Sequence, residues 1–319
     1  KTLFHTCGRR MQSYGRTAAG AQRWYCPSCR SSRTRKRPDT RIRYRSTAFL
    51  QWLLGDLTVA ELLRRYHVNR RTLDRWFAAA WAEPPQPILP VSLAGQVLIV
   101  DGVYLRRDAC ILIARTPRTG VVSWMFCDRE STATWLEFLT TLSRPWAVVS
   151  DGQKGLKRAI RTIWPGILLQ QRCLFHVVDG ALKKLTQRPT TVAGRVLRRL
   201  VVDLYDVQPE GGRRGWLRRY RWWERRYDTF LKERSHGRRP DRKRLWWYAH
   251  QSLRSVRHLL RTAFPELFTY TDHSTVPRTT NHVEGGVNSP LKDLIRKHRG
   301  LPLTKQQALA AYFLASRQR

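Results

Sequence analysis

Residues 96 to 171 alternate between strand-like and helix-like patterning in an order that few folds accommodate. Three strand-like runs come first, at 97–105, 109–116 and 120–126. Arg107-Asp108 and Pro117-Arg118-Thr119-Gly120 separate them, and both suit hairpin connections. An amphipathic helix is expected at 131–143, a strand at 146–150, a helix at 153–164 and a strand at 167–171. Three antiparallel strands followed by helix–strand–helix–strand predict an α/β, ribonuclease-H-like core built on a mixed sheet.

Two of these apolar runs end alike. Val97-Leu98-Ile99-Val100 stops at Asp101-Gly102, and Trp146-Ala147-Val148-Val149-Ser150 stops at Asp151-Gly152. Asp-Gly is an ordinary turn signal. An acid at the end of a buried strand is nevertheless costly unless something positive binds it. A third carboxylate, Glu284, lies in Thr280-Asn281-His282-Val283-Glu284-Gly285-Gly286-Val287-Asn288. On the predicted sheet Asp101 and Asp151 end neighbouring strands, and a crossing helix over about 281–297 can carry Glu284 above both. Three converging acids fit a pair of Mg²⁺ ions and phosphoryl transfer. Glycine after each Asp leaves the backbone open to a phosphate or a metal-bound water.

The charge balance narrows the partner. The 319 residues carry 60 Lys+Arg against 23 Asp+Glu, a net charge of +37. Such an excess points to nucleic acid, whose neutralised phosphates release counterions. An anionic membrane surface is the rival. No apolar run reaches the roughly 18 residues of a membrane span, and no apolar stretch follows Lys1-Thr2-Leu3-Phe4 as a signal peptide requires. The six cysteines are too sparse for a disulfide scaffold. A cytoplasmic, nucleoid-associated protein is expected.

Ahead of the core lie two small modules. Residues 1–30 hold Cys7, Cys26 and Cys29 around a strand-like Gln22-Arg23-Trp24-Tyr25, which suggests a zinc-ribbon-like hairpin. Cys26-Pro27-Ser28-Cys29 places two thiolates on one knuckle, as tetrahedral zinc requires. Residues 31–46 are basic and read as a linker. Residues 47–82 turn helical, and Thr58–Phe77 fits helix-turn-helix: Ala60 for close approach, Val68 in the turn, Asn69 as the cap of the second helix. That helix would present Arg70, Arg71 and Arg75 to DNA, alongside Asp74. A plain helical hairpin with a solvated face is the alternative. Residues 83–95, with four prolines, form a second linker.

Residues 177–277 lose the strand signal and become rich in Arg and Trp, so an all-α insertion is expected, with the core resuming at 278–319. Trp216, Trp222, Trp223, Trp246 and Trp247 either stack on unpaired bases or fill a helical core. The arginines among them, including Arg218, Arg219, Arg242 and Arg244, fit DNA contact.

Taken in order, Val100-Asp101-Gly102, Ser150-Asp151-Gly152-Gln153-Lys154-Gly155-Leu156, Gln171-Arg172-Cys173-Leu174-Phe175-His176 and Thr280-Asn281-His282-Val283-Glu284-Gly285 resemble bacterial Mutator-like insertion-sequence transposases. The resemblance covers most of the chain from about 96 to 319. It implies a DDE enzyme with Asp101, Asp151 and Glu284 as catalytic and Mg²⁺-binding triad, cleaving and joining double-stranded DNA as a dimer or larger assembly. It also implies that Cys173 and His176 support the carboxylates, for instance through a hydrogen bond from His176 to a site carboxylate or to the scissile phosphate. The family's usual second Cys-x-x-Cys knuckle is incomplete here, with Phe4 at the first ligand position. His5 is the substitute, giving His5, Cys7, Cys26 and Cys29 as the zinc set. A structure-specific nuclease or resolvase on the same core, or an inactive DNA-binding regulator, are the competing functions.

Overall fold

The computed structural model describes residues 3–18, 20–34, 38–89, 92–166, 168–209, 211–237, 246–280 and 283–318. The chain divides into two units, Lys1–Glu83 and Pro84–Arg319.

The first unit opens with three strands, β1 (Gln12–Arg16), β2 (Gln22–Cys26) and β3 (Ser31–Thr34), paired antiparallel in the order β1-β2-β3. Three helices follow: α1 (Pro38–Leu53), α2 (Val59–Tyr66) and α3 (Arg70–Ala82). The stretch expected as a basic linker, 31–46, is thus the third strand and the first turns of a helix. Among its described side chains, α1 buries Ala48, Phe49 and Leu53.

Local chemistry fixes α2 and α3. Thr58 closes a capping box with Glu61, accepting from the Glu61 N–H while its own N–H donates to the Glu61 carboxylate at 2.7 Å. His67 ends α2 in the left-handed region (φ 48°). Asn69 then caps α3 by accepting from the Thr72 N–H at 2.9 Å. Leu62, Tyr66, Leu73 and Phe77 are buried between the helices. Ala60 is exposed, so the close approach expected of it is made by Leu62 instead.

The second unit is mixed α/β. Its described residues form a five-stranded sheet of order β6-β5-β4-β7-β8, from β4 (Val97–Arg106), β5 (Ala109–Thr116), β6 (Gly120–Cys127), β7 (Ala147–Ser150) and β8 (Leu169–Arg172). The β4–β5 and β5–β6 pairs are antiparallel, whereas β4–β7 and β7–β8 are parallel. Nearly every residue of β5 is buried, as a strand covered on both faces requires. One face packs on α4 (Thr132–Thr140) and α5 (Lys154–Ile163) through Leu98, Val100, Leu112, Trp135, Phe138 and Ile160.

The region expected as an all-α insertion holds α6 (Leu174–Leu182), α7 (Val192–Val202), α8 (Gly212–Arg226), α9 (Asp228–Leu231), α10 (Gln251–Leu267) and α11 (Thr269–Asp272). It is not purely helical. Antiparallel β9 (Arg234–His236) and β10 (Trp246–Tyr248) form a two-stranded sheet before α10. Its own core takes up two of the five tryptophans. Trp216 and Trp223 are fully buried, and their indole N–H groups donate to the Leu200 and Ala193 carbonyls at 2.8 and 2.9 Å. Trp222, by contrast, is 51% exposed. Arg242 and Arg244 lie outside the described residues.

The chain returns through a π-helical turn at Glu284–Asn288, a helix at Ser289–Lys297 and a helix at Leu303–Ala315. Gln318 then clasps the proline-rich segment, accepting from the Ile88 N–H at 3.0 Å and donating to its carbonyl. Among the described residues, no helix is long and apolar enough to cross a membrane.

Candidate functional site

Strand register brings the two aspartates together. Ile99 pairs with Val149 in the parallel β4–β7 ladder. Asp101 lies two residues further along β4 and Asp151 one residue past the end of β7, and the charges of both reach the Glu130 carboxyl. Both are half-buried. Asp101 accepts from the Gly102 N–H at 3.0 Å through Oδ1. Asp151 accepts from the Gln153 N–H at 2.9 Å, which turns the backbone into α5.

Glu284 opens the π-helical turn that ends at Asn288. Asn288 is 5% exposed, and its Nδ2 donates to Asp101 Oδ2 at 2.6 Å. The side chain of Glu284 lies outside the described residues. A Cβ on Gly286 would meet the Arg115 guanidinium, which would have to shift to admit it. Asn281 and His282, part of the sequence motif, lie outside the described residues.

A fourth carboxylate, which sequence reading missed, shares the pocket. Glu130 precedes the Ser131 cap of α4, and its carboxyl lies against the α-carbon of Gly102, where any Cβ would overlap it. Burial, then the charges of Asp151 and Asp101, push it up to about 7, against a hydrogen bond from the Trp135 indole. In the sequence Glu130 looks like any acid near a helix N-terminus; only the Gly102 contact exposes its place. Gly102 therefore has a packing role besides the openness expected of it.

Cys173 and His176 flank this centre. The Cys173 N–H donates to the Ser150 carbonyl at 2.6 Å, immediately before Asp151. Its buried Sγ accepts from the Thr280 N–H and hydroxyl at 3.3 and 3.2 Å. Burial alone would push the thiol up, but hydrogen bonds from His176 and Thr280 hold it below its ordinary value. Cys173 thus links the end of β7 to the segment that leads into Glu284. Arg172 lies across Gly152, whose φ of +77° and missing Cβ make room for it. Burial lowers the Arg172 pKa, opposed by the neighbouring charges of Glu266 and Asp151.

In the first unit His5, Cys7, Cys26 and Cys29 converge, with one ligand atom from each within 4.8 Å of all the others. The His5 ring presents Nδ1 to Cys7 Sγ at 3.2 Å while Nε2 meets the Ser31 hydroxyl at 3.1 Å. Hydrogen bonds from the Arg9 N–H, Cys29 and His5 lower Cys7 to about 6, and Cys29 is raised to about 11, chiefly by Cys7. On α3, Arg70, Arg71 and Arg75 are exposed, with Arg70 paired to Asp74 at 3.0 Å.

This is an α/β protein with Asp101 in the middle of β4, not at its end as expected, and Asp151 just past the end of β7. Residues 105–227 match the model described as transposase, Mutator family. No curated protein matches the chain. Among solved structures, it is similar to a chain of the cryoEM structure of the simian T-cell lymphotropic virus intasome in complex with PP2A regulatory subunit B56 gamma. That likeness has 14% identity and a TM-score of 0.21, and covers 40% of this chain and 59% of that one.

Proposed function

We propose that the second unit is a ribonuclease-H-like DDE core that cleaves DNA at the ends of an insertion sequence and joins the freed ends to a target. The observation that supports this reading is that the charges of Asp101 and Asp151 both act on Glu130, with the Asn288 end of the Glu284 turn hydrogen-bonded to Asp101. The donor set is all carboxylate oxygen, which suits hard divalent cations such as Mg²⁺. The raised Glu130 carboxyl fits the same view, because burial and then the charges of Asp151 and Asp101 push it up. Asp101, Asp151 and Glu284 would hold two ions, which when bound supply Lewis-acid polarisation of the phosphodiester and of the attacking water or 3′-OH. Asn288 orients the Asp101 carboxylate, and Cys173 ties the end of β7 to Thr280.

The His5, Cys7, Cys26 and Cys29 set fits Zn²⁺: three thiolates and an imidazole from two knuckles make a closed tetrahedral site. The first unit would then read element ends through α3, with Arg70, Arg71 and Arg75 at the major groove. Joining two ends requires at least a dimer.

Asp101→Asn tests the catalytic reading. With Mg²⁺ and DNA carrying the element ends, it is expected to abolish both cleavage and strand transfer while leaving end-binding intact. Undiminished strand transfer would remove Asp101 from the centre. Wild-type protein that cuts without joining would assign a nuclease instead.

A further inference from the structure

A groove of about 1120 Å³ runs between α5 and α10, beginning at Gly152 beside Asp151. None of its lining residues is acidic, and seven are Lys or Arg. Two of the seven are already engaged. Lys157 is paired with Glu266 at 2.8 Å, and Arg254 lies over the Tyr248 ring at 3.5 Å while donating to the Leu231 carbonyl.

Lys154, Arg158, Arg161 and Lys184 differ from these. All four are exposed, and among the described residues none has an acidic partner within salt-bridge distance. Lys154, Arg158 and Arg161 fall at i, i+4 and i+7 on α5, so they form one row about 10 Å long. One strand of duplex DNA presents about three phosphates over that length. At the inner end, the Arg172 Nε is buried with no hydrogen-bond partner among the described residues. A row of uncompensated cations that leads into the acid pocket repels itself unless an anionic chain lies along it.

We propose that this groove holds the phosphate backbone of the duplex flanking the reacting phosphodiester, with Lys154, Arg158 and Arg161 each meeting one phosphate. The assignment rests on the DNA-processing reading above. It adds a DNA-binding surface distinct from α3 and sets the direction in which the flank leaves the acids, along α5.

Binding measured with EDTA separates the groove from the chemistry. The full chain with Lys154→Gln, Arg158→Gln and Arg161→Gln is titrated with end-bearing duplex at several salt concentrations. A control chain carries Arg118→Gln, Arg144→Gln and Arg195→Gln, which remove equal charge from exposed positions off the groove. The slope of log affinity against log salt is expected to become shallower by about three in the groove variant, about one per lost phosphate contact, and to change by less than one in the control. An unchanged slope, or an equal change in the control, overturns the groove. Wild-type protein that shows the groove-dependent slope yet never cuts DNA with Mg²⁺ would leave the groove standing and sink the catalytic reading alone.

Discussion

The Asn288 amide donates to Asp101 at 2.6 Å across 187 residues of sequence, and so ties the returning π-helical turn to the central strand of the sheet. Removing the amide leaves a half-buried carboxylate oxygen without that donor. A hydrogen bond to a charged group contributes about 1.5–3 kcal/mol. Asn288→Ala is therefore expected to lower stability by about that much in thermal unfolding. It should also cut the cleavage rate about 10- to 100-fold, because the Asp101 carboxylate loses the donor that orients it. Asn288→Ala with wild-type cleavage would show that the turn is held by other contacts.

Glu130 gives the protein a pH signature in the absence of metal. The folded protein keeps this carboxyl protonated up to about pH 7, whereas the unfolded chain releases the proton near its ordinary value of 4.5. Between those values the folded state binds more protons, so its stability falls as pH rises through the window and levels off above it. Glu130→Gln removes the charge. In EDTA it is expected to be more stable than wild type at pH 8 and no more stable at pH 4, by denaturant unfolding at both values. The same variant at saturating Mg²⁺ should lose the advantage, since bound cations offset the repulsion. Identical pH profiles for the two proteins would place Glu130 in solvent.

How far these features are legible in the sequence depends on whether they are local. The β4–β8 order and the Asp101 and Asp151 positions were readable because apolar runs and Asp-Gly corners are short-range signals. Glu130 was not, since its meaning comes from a contact with Gly102, 28 residues away, that no local pattern encodes. The β9–β10 pair escaped notice because three-residue strands carry too little alternation to register. The π-helical turn was expected as ordinary helix; its extra residue is a matter of packing against Arg115 and Asp101, not of propensity.

The tryptophans of the insertion separate by burial. Trp216 fills a fully buried site stacked on Tyr220 at 5.4 Å, with its indole hydrogen-bonded. Trp216→Ala is expected to cost about 3–5 kcal/mol in chemical denaturation. Trp222→Ala, at a largely exposed position, should stay within about 0.5 kcal/mol. Similar costs for both would contradict the core described around α7, α8 and α10.

The cysteine knuckles make the last prediction. In metal-free protein, Cys7 with a pKa of about 6 is mostly thiolate at pH 7, whereas Cys29 near 11 is a thiol. Only the thiolate reacts quickly with alkylating reagents. Iodoacetamide at pH 7 is therefore expected to modify Cys7 well before Cys29, as read by peptide mass spectrometry. With Zn²⁺ bound, four ligand atoms within 4.8 Å of one another close around the ion, and both residues should be protected. Elemental analysis should give one zinc per chain, lost on Cys29→Ser. His5→Gln keeps three thiolates, so it should weaken binding without abolishing it. Protein purified from zinc-supplied cells with no bound metal, and with Cys7 and Cys29 alkylated at equal rates, would reduce the four residues to a sheet corner with idle thiols.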